Sequence, residues 1–267
     1  MNATRLYVRY IGASLRAQMQ YPVDFLVAST GAFFTTVIDF FAIYALFARF
    51  EQLEGWRFGE VALFYGVIGV AFAIADMVTR GFDVFGPQFV KTGDFDRLLV
   101  RPRSTVLQLL GYELRVNRVG RLAQALFAGA IGVQLSGAEW SWRAWAVLAF
   151  AVIGGVALFA GILVLQATLA FWTVESLEIA NTLTYGGVEA AQYPLDVYTT
   201  WFRRFLIFVV PLGCVSYFPV AYVLGHANRT GAPAWLLPFT PALGIGFLGV
   251  AIAVWRVGVR HYRSTGS

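Results

Sequence analysis

The sequence has little of what soluble enzymes commonly use. Among its 267 residues are one cysteine, Cys214, one lysine, Lys91, and two histidines. A single cysteine excludes an intrachain disulfide framework and a cysteine-based metal cluster. The patterns HExxH and GxSxG do not occur, and Phe85 stands where a phosphate-binding GxxxxGK[ST] loop around Lys91 would need its first glycine. The sequence therefore indicates neither a zinc hydrolase, a serine hydrolase nor an ATP-binding P-loop.

Charge is also scarce. Only 13% of the residues are charged, against about a quarter in ordinary globular domains. Hydrophobic residues make up 58% of the chain, and the mean hydropathy is +0.66. A soluble core of this length cannot hide so much apolar surface. The composition therefore predicts a protein whose natural solvent is lipid.

Six segments are long and apolar enough to cross a bilayer as helices, which takes about 20 residues. Helices are expected because runs of this length satisfy every backbone group internally. We therefore predict an all-α membrane protein in which residues 1–267 form a single transmembrane domain. The predicted spans are Val23–Ala48, Val61–Val78, Val119–Leu135, Ala144–Trp172, Phe205–Leu224 and Leu236–Val257.

The segments outside these spans are predicted as an interfacial helix (4–20), a long cytoplasmic region (79–118), a second cytoplasmic loop (173–204) and a cytoplasmic tail (256–267). A proline-rich hairpin that re-enters the membrane from outside is predicted over 217–240, and with it the last two spans shift to roughly Phe202–Ser216 and Pro241–Val259. The interfacial helix is expected because arginines and apolar residues alternate there at helical spacing, as in helices that lie in the headgroup region. The hairpin is expected because prolines at membrane depth are tolerated where protein covers the broken backbone.

Orientation follows from the arginines, which give the chain a net charge of +5. With these spans, 16 of the 20 basic residues fall on one side and 4 on the other. The positive-inside rule then places both termini in the cytoplasm. Because the arginines flank the membrane and form no single stripe, a nucleic-acid-binding surface is not expected.

Residues 91–104, KTGDFDRLLVRPRS, stand out in the long cytoplasmic region. Gly93 can turn the chain, Asp94 is expected to cap a short helix, and Asp96 suits its first turn. Pro102 is expected to end that helix. Its apolar residues at i, i+3 and i+4 are Phe95, Leu98 and Leu99, and its exposed cation is Arg97. The sequence leaves two interpretations open: this face docks into a groove on a partner, or it packs back on the protein's own helix ends.

Two acids are predicted inside the membrane, Asp39 in the first span and Asp76 at the cytoplasmic end of the second. A carboxylate at this depth should face protein or water. Asp39 is open to a proton or cation relay, to a pairing with Arg49, or to a place beside a polar cavity. Arg121, at the inner edge of the third span, is expected to reach lipid headgroups.

In their order, these features resemble the type-2 permease subunit of bacterial ATP-binding-cassette (ABC) exporters, in its small six-span branch. The resemblance covers essentially the whole chain. It rests on the interfacial "elbow" helix, six spans with both ends inside, GDFDRLLVRPRS after the second span, the hairpin before the last, PLGCVSYFP (211–219) and WRVGVRHYRSTGS (255–267).

The resemblance implies that two permeases, identical or paralogous, form a pathway in the bacterial inner membrane. It implies that separate ATPase subunits bind ATP and Mg²⁺, so this chain needs no cofactor of its own. The helix after the second span would be the coupling helix, made by Gly93, Asp94, Phe95, Asp96, Arg97, Leu98, Leu99 and Pro102, and residues 105–121 would carry its motion as a rigid helix. The substrate stays open, and membrane lipids surround the chain.

Three other functions stay open at this point. They are an ion-coupled secondary carrier in which Asp39 matters most, a non-transporting structural subunit of a membrane complex, and an intramembrane enzyme acting on lipids. The last is disfavoured because no pair of catalytic residues is evident.

Overall fold

The computed structural model describes residues 3–173 and 177–262, with side chains for all of these except 3–6, 8 and 177–183. Within these ranges the chain is almost entirely helical, as predicted. Residues 263–267 of the expected tail lie outside the described residues. The α-helices are α1 (Ala3–Gln18), α2 (Pro22–Phe50), α3 (Phe58–Val78), α4 (Arg80–Asp83), α5 (Phe95–Leu99), α6 (Thr105–Leu110), α7 (Val119–Leu135), α8 (Trp142–Leu169), α9 (Leu177–Ala191), α10 (Thr200–Phe208), α11 (Leu212–Val215), α12 (Tyr217–Val223) and α13 (Ala242–His261).

Short elements join these helices. A π-helix covers Gly86–Val90, and single turns of 3₁₀-helix cover Val116–Arg118, Leu195–Val197, Ala227–Arg229 and Leu237–Phe239. Two strands, β1 (Gln52–Leu53) and β2 (Trp56–Arg57), pair antiparallel between α2 and α3. Glu54 and Gly55 both have positive φ, as a two-residue type I′ turn requires.

Four stretches are long and apolar enough to cross a membrane: α2, α3, α8 and Leu237–His261. The bent pair formed by α10 and the α11–α12 segment gives up to five in the described part of the chain. These stretches match four of the predicted spans. The predicted third span matches α7, which has only 17 residues.

Helix α3 is the centre of the bundle, packed against α7 and α8, while α13 packs along α8. Small residues allow the close approach, as in other membrane helix pairs. Gly66 of α3 meets Gly129 of α7, and Gly154 of α8 meets Gly244 of α13, in each case so closely that an added Cβ would collide with backbone. Helix α2 lies at the edge, with most of its surface uncovered.

The bundle has two ends, which we name by their buried tryptophans. The Trp56 end holds the strand hairpin between α2 and α3. The Trp255 end holds the last turns of α8 and α13 and residues 79–118, which follow α3. Helix α1 is attached beside the Trp255 end, where Gln18 accepts a hydrogen bond from the Val116 amide (3.1 Å) and Ser14 accepts one from the Leu114 amide (3.0 Å).

The predicted cytoplasmic loop over 173–204 is wrong. Helix α9 lies within this segment and packs against α3 and α8. The chain then reaches the Trp56 end, where Asp196 accepts a hydrogen bond from Trp56 Nε1 (3.0 Å). Arg203, counted as cytoplasmic from the sequence, pairs with Asp196 at 3.5 Å and so also lies at the Trp56 end.

The predicted fifth span, Phe205–Leu224, is not one straight helix. The chain bends by 71° between α10 and the α11–α12 segment. Both limbs lie at the Trp56 end, because Asp196 before the bend accepts a hydrogen bond from the Tyr217 hydroxyl after it (2.9 Å). The hairpin therefore comprises α10 to α12, earlier in the chain than the predicted 217–240, and a bend of this kind belongs either to a broken span or to a re-entrant loop. Residues 224–241 contain only 3₁₀ turns before α13.

The stretch 105–121, expected as one rigid helix, is also interrupted. Helix α6 ends at Leu110, and α7 starts at Val119. Between them the Arg115 amide donates to the carbonyl of Met77 at the end of α3 (3.1 Å). This bond fastens the segment to α3 instead of letting it continue as a lever.

Candidate functional site

Segment 91–104 contains the short helix α5 and lies at the Trp255 end. Gly93 has a φ of +74°, a left-handed conformation that makes the turn into α5. Asp94 directly precedes the helix, at the expected cap position, but the expected capping hydrogen bond is wrong because its carboxylate has other partners. It accepts from the Thr92 hydroxyl (3.1 Å) and pairs with Arg97 (3.1 Å). The helix ends at Leu99, before Pro102, as predicted.

The sequence left open whether the three apolar residues of α5 dock on a partner or pack on the protein's own helices, and they differ in this respect. Phe95 is fully buried, Leu98 packs partly against the same interior, and Leu99 is 41% exposed. The next residue, Val100, is 85% exposed. Phe95 was expected as a docking side chain and instead packs inside its own chain, while Leu99 and Val100 form an apolar edge on the outside. We call these two residues the Leu99 edge.

The Phe95 ring belongs to an aromatic cluster that closes the Trp255 end. It makes edge contacts with Phe85 (centroids 5.0 Å apart) and Tyr262 (4.9 Å), and it packs at a tilt on Phe171 (5.6 Å). Phe171 follows α8, and Trp255 of α13 lies against both Phe85 and Phe171. The short helix is therefore built onto the ends of α8 and α13.

Two hydrogen bonds fasten the same region. The buried Gln108 amide donates from Nε2 to the Leu98 carbonyl (3.0 Å), which ties α6 to the end of α5. The Trp255 indole donates to the Thr105 hydroxyl (3.0 Å), which ties α13 to the start of α6. Helices α5, α6 and α13 are thus linked by polar as well as apolar contacts.

Asp76 is buried at the Trp255 end of α3, among arginines that follow it in the chain. Its carboxylate lies 2.8 Å from Arg118, 3.4 Å from Arg115 and 3.7 Å from Arg121. Asp83 also contacts Arg115, at 3.6 Å. Removing one partner of such a buried pair costs about 3–5 kcal/mol. The arrangement indicates a structural joint between α3 and the start of α7.

Asp39 lines a cavity of about 330 Å³ bounded by α2, α3, α7 and α9. Within the described residues it forms no ion pair, and the Arg49 guanidinium instead lies 5.9 Å from the Phe50 ring. Because a carboxylate at mid-bilayer costs about 2.5–3.5 kcal/mol, a polar cavity is the environment that makes this position tolerable. We call this space the Asp39 cavity.

The sequence did not single out most of the polar residues of the Asp39 cavity. Gln124 and Arg121 of α7 face it, as do Glu189 of α9 and Tyr65 of α3. Arg121, expected to reach headgroups, lies beside Asp76 and 5.4 Å from the Phe72 ring. The spacing of Arg121 and Gln124, three residues apart on one helix face, was the available signal.

The Trp56 end is closed by polar contacts. Glu60 is buried, and its carboxylate accepts from the Arg57 amide (2.8 Å) and lies 2.6 Å from His226 Nε2. Burial raises the pKa of Tyr198 to about 12, so its hydroxyl remains a neutral donor, to the Ala190 carbonyl (3.1 Å). These bonds join the strand hairpin, α9 and the chain that follows it.

Among the described residues, no group of three histidine, cysteine or acidic side chains is placed to hold a metal ion. The two histidines lie at opposite ends, His226 beside Glu60 and His261 at the end of α13.

Comparison with protein families matches residues 33–266 to the model of the "ABC-2 family transporter protein". Comparison with curated proteins and with solved structures gave no match. The family match runs from the middle of α2 to beyond α13 and therefore includes the Asp39 cavity, segment 91–104 and both buried tryptophans. An apolar helical bundle of this kind, matched over nearly its full length, identifies the chain as a member of the ABC-2 family of membrane transporter proteins.

Proposed function

We propose that this chain is the permease subunit of a bacterial inner-membrane ABC exporter and that separate ATPase subunits drive it. Two permease chains, identical or paralogous, would enclose the pathway. The family match supports a permease, and the Leu99 edge carries the assignment of the docking site. An apolar edge on a projecting cytoplasmic helix suits a groove on a partner protein.

In this proposal Phe95 and the Leu99 edge have different tasks. Leu99 and Val100 contact the ATPase, with Arg97 at the rim of the contact. Phe95 transmits the displacement, because its ring is packed among Phe171 and other rings at the ends of α8 and α13. Force applied to α5 would thus reach these two helices directly.

We further propose six crossings, formed by α2, α3, α7, α8, α9 and α13. Helix α9 takes the fifth place because it runs from the Trp255 end to the Trp56 end, while α10 to α12 return to the end they leave. With Arg203 and Arg204 moved to the other side, the count of basic residues from the sequence becomes 14 against 6, and the larger group includes those of residues 79–118 at the Trp255 end. The positive-inside rule then makes the Trp255 end cytoplasmic, together with both termini.

The docking assignment is tested by Leu99→Asp and Val100→Asp, with Asn228→Asp as the matched control. Asn228 is exposed at the other end of the molecule, so it receives the same charge away from the proposed interface. We expect both edge variants to reach the membrane and to lose co-purification with an ATPase subunit from the native host. The control should retain it.

Two results would contradict the docking assignment. One is a wild-type chain that carries no ATPase subunit through purification. The other is a Leu99→Asp chain that keeps the subunit and still stimulates its ATP hydrolysis.

An ion-coupled carrier is the second candidate, favoured by the unpaired carboxylate of Asp39 in a polar cavity. The two are separated by their energy source. Transport that survives ATP depletion but stops when the proton gradient collapses, and that Asp39→Asn abolishes, would favour the carrier.

A further inference from the structure

We propose that the Asp39 cavity binds a small amphipathic molecule that carries a cationic nitrogen and, a few bonds away, an oxyanion, as zwitterionic headgroups do. This inference rests on the proposed function, since it names the substrate class of the pathway. Two walls of the cavity support it: one carries carboxylates, and the other carries hydrogen-bond donors and an arginine.

The first wall is acidic. Asp39 of α2 and Glu189 of α9 both face the cavity, and neither forms an ion pair within the described part of the chain. Tyr193 also lines the cavity and lies within electrostatic range of both carboxylates. Carboxylates that face a cavity without forming an ion pair favour a cationic group in that cavity.

The opposite wall presents donors. Gln124 is 2% exposed, and its buried amide interacts with the Tyr65 hydroxyl without forming a hydrogen bond of ordinary geometry. Of the three arginines around Asp76, Arg121 lies farthest from the carboxylate, at 3.7 Å. Its Nε has no hydrogen-bond acceptor among the described residues. A buried donor such as the Arg121 Nε is costly without an acceptor, so an oxygen-bearing ligand, or water in its absence, is expected at this wall.

The ion-pair network that holds Arg121 carries positive charge that its own carboxylates do not cancel. The ion-pair network at the inner end of α3 contains four arginines and three carboxylates: Arg80, Arg115, Arg118 and Arg121 with Asp76, Asp83 and Glu113. One positive charge is therefore in excess, and Arg121 is the network member that lines the cavity. An oxyanion at this wall would balance it.

The size and the remaining lining fit the same ligand. At about 330 Å³ the cavity lies at the lower end of the range of small-molecule sites. Tyr185 adds an aromatic ring, a group that attracts organic cations, and Ile43 and Val188 add apolar surface for the rest of the molecule. A free ion would leave that surface bare, whereas a zwitterionic amphiphile covers it.

The test measures equilibrium binding of four probes to the full chain in nanodiscs: hexylphosphocholine, hexyltrimethylammonium, hexyl phosphate and hexyl glucoside. We expect hexylphosphocholine to bind at least tenfold more tightly than each of the others, because it alone satisfies both walls. The double variant Asp39→Asn, Glu189→Gln should weaken the two cationic probes about tenfold and spare hexyl phosphate. Gln124→Leu should weaken the two phosphate probes and spare hexyltrimethylammonium.

The matched control is Asp24→Asn, which removes an exposed acid of α2 that does not line the cavity. It should bind all four probes as the wild type does. Asp39→Asn alone, at an exposed and nearly isosteric position, carries the test if the double variant fails to fold. Equal binding of hexyl glucoside and hexylphosphocholine, or an Asp39→Asn chain that binds like Asp24→Asn, would overturn the proposal.

The ligand could come from the bilayer or from water, and lipid composition separates these sources. Phosphatidylethanolamine nanodiscs should lower the apparent affinity for hexylphosphocholine, relative to phosphatidylglycerol nanodiscs, if a lipid headgroup is the natural occupant. Equal affinities assign the site to a soluble molecule. A chain that binds the probe but no ATPase would retain this site and contradict the proposed function, so the two can fail independently.

Discussion

Trp56 and Trp255 are both fully buried, at opposite ends of the bundle, and different forces hold them. The Trp56 indole donates to the Asp196 carboxylate, its ring lies 5.1 Å from the Arg229 guanidinium, and His226 meets it edge-on at 5.0 Å. The Trp255 indole donates to a neutral hydroxyl, that of Thr105, and its ring is otherwise surrounded by other aromatic rings.

This difference separates a fixed end from an end that can pass on motion. Hydrogen bonds to charged groups are strong and directional, so movement at the Trp56 end would break several at once. Edge-to-face contacts among rings are weaker and tolerate a range of geometries. The aromatic cluster around Trp255, onto which the Leu99 edge is built, can therefore shift its packing without losing a charged contact of its own, while the Asp76 ion pairs hold the neighbouring end of α3.

The largest expected effect tests the aromatic end. Phe95→Ala removes a fully buried ring and should lower the free energy of unfolding by about 3–5 kcal/mol. The variant should also lose its ATPase subunit, because α5 loses its attachment to α8 and α13. Thermal unfolding in detergent and co-purification measure the two effects.

Phe127→Ala is the control for this ring deletion. Phe127 lies on the outer face of α7 with 47% of its surface exposed, so its loss should change stability far less. Equal shifts in the two variants would mean that the ring of Phe95 does not hold the Trp255 end together.

The second test compares the two tryptophans directly. Trp56→Phe and Trp255→Phe each keep a ring and remove one indole hydrogen bond. The first should cost about 2 kcal/mol because its acceptor is a carboxylate, and the second about 1 kcal/mol because its acceptor is a hydroxyl. If thermal unfolding ranks them in the opposite order, the contrast between the ends is wrong.

Much of the fold could be predicted because lipid imposes a simple rule on length and polarity. Helices α2, α3 and α8 follow runs of apolar residues and lie where the sequence predicts them. The turn at Gly93 and the end of α5 before Pro102 depend only on neighbouring residues, and they too agree with the prediction.

Helix α9 escaped prediction for a physical reason. Its segment carries Glu189, Gln192 and two adjacent glycines, which resemble a solvated loop in sequence. Glu189 and Gln192 instead face the Asp39 cavity. Their polar side chains therefore indicate that the segment lines a cavity of the bundle, and do not indicate a solvated loop. Arg203 was assigned to the wrong end for the same reason. It follows α9 in the chain, so its position depends on the end at which α9 stops.

The fate of Phe95 also lay beyond the sequence pattern. Apolar residues at i, i+3 and i+4 indicate that a helix has an apolar face, but not what covers it. The answer depends on Phe171 and Tyr262, which are distant in sequence and meet the ring only once the fold is formed. The Asp94 cap failed similarly, because Arg97 and Thr92 compete for its carboxylate.

The smallest expected effect tests the polar end. Glu60→Gln keeps one oxygen to accept from the Arg57 amide but removes the charge that faces His226. We expect a loss of about 1 kcal/mol, as for one buried hydrogen bond weakened and not left without a partner. Glu139→Gln removes an exposed acid of the same end and should leave the melting temperature nearly unchanged. If both variants melt like the wild type, the Glu60–His226 contact does not contribute to the stability of the Trp56 end. That end is then held by the polar contacts of Asp196.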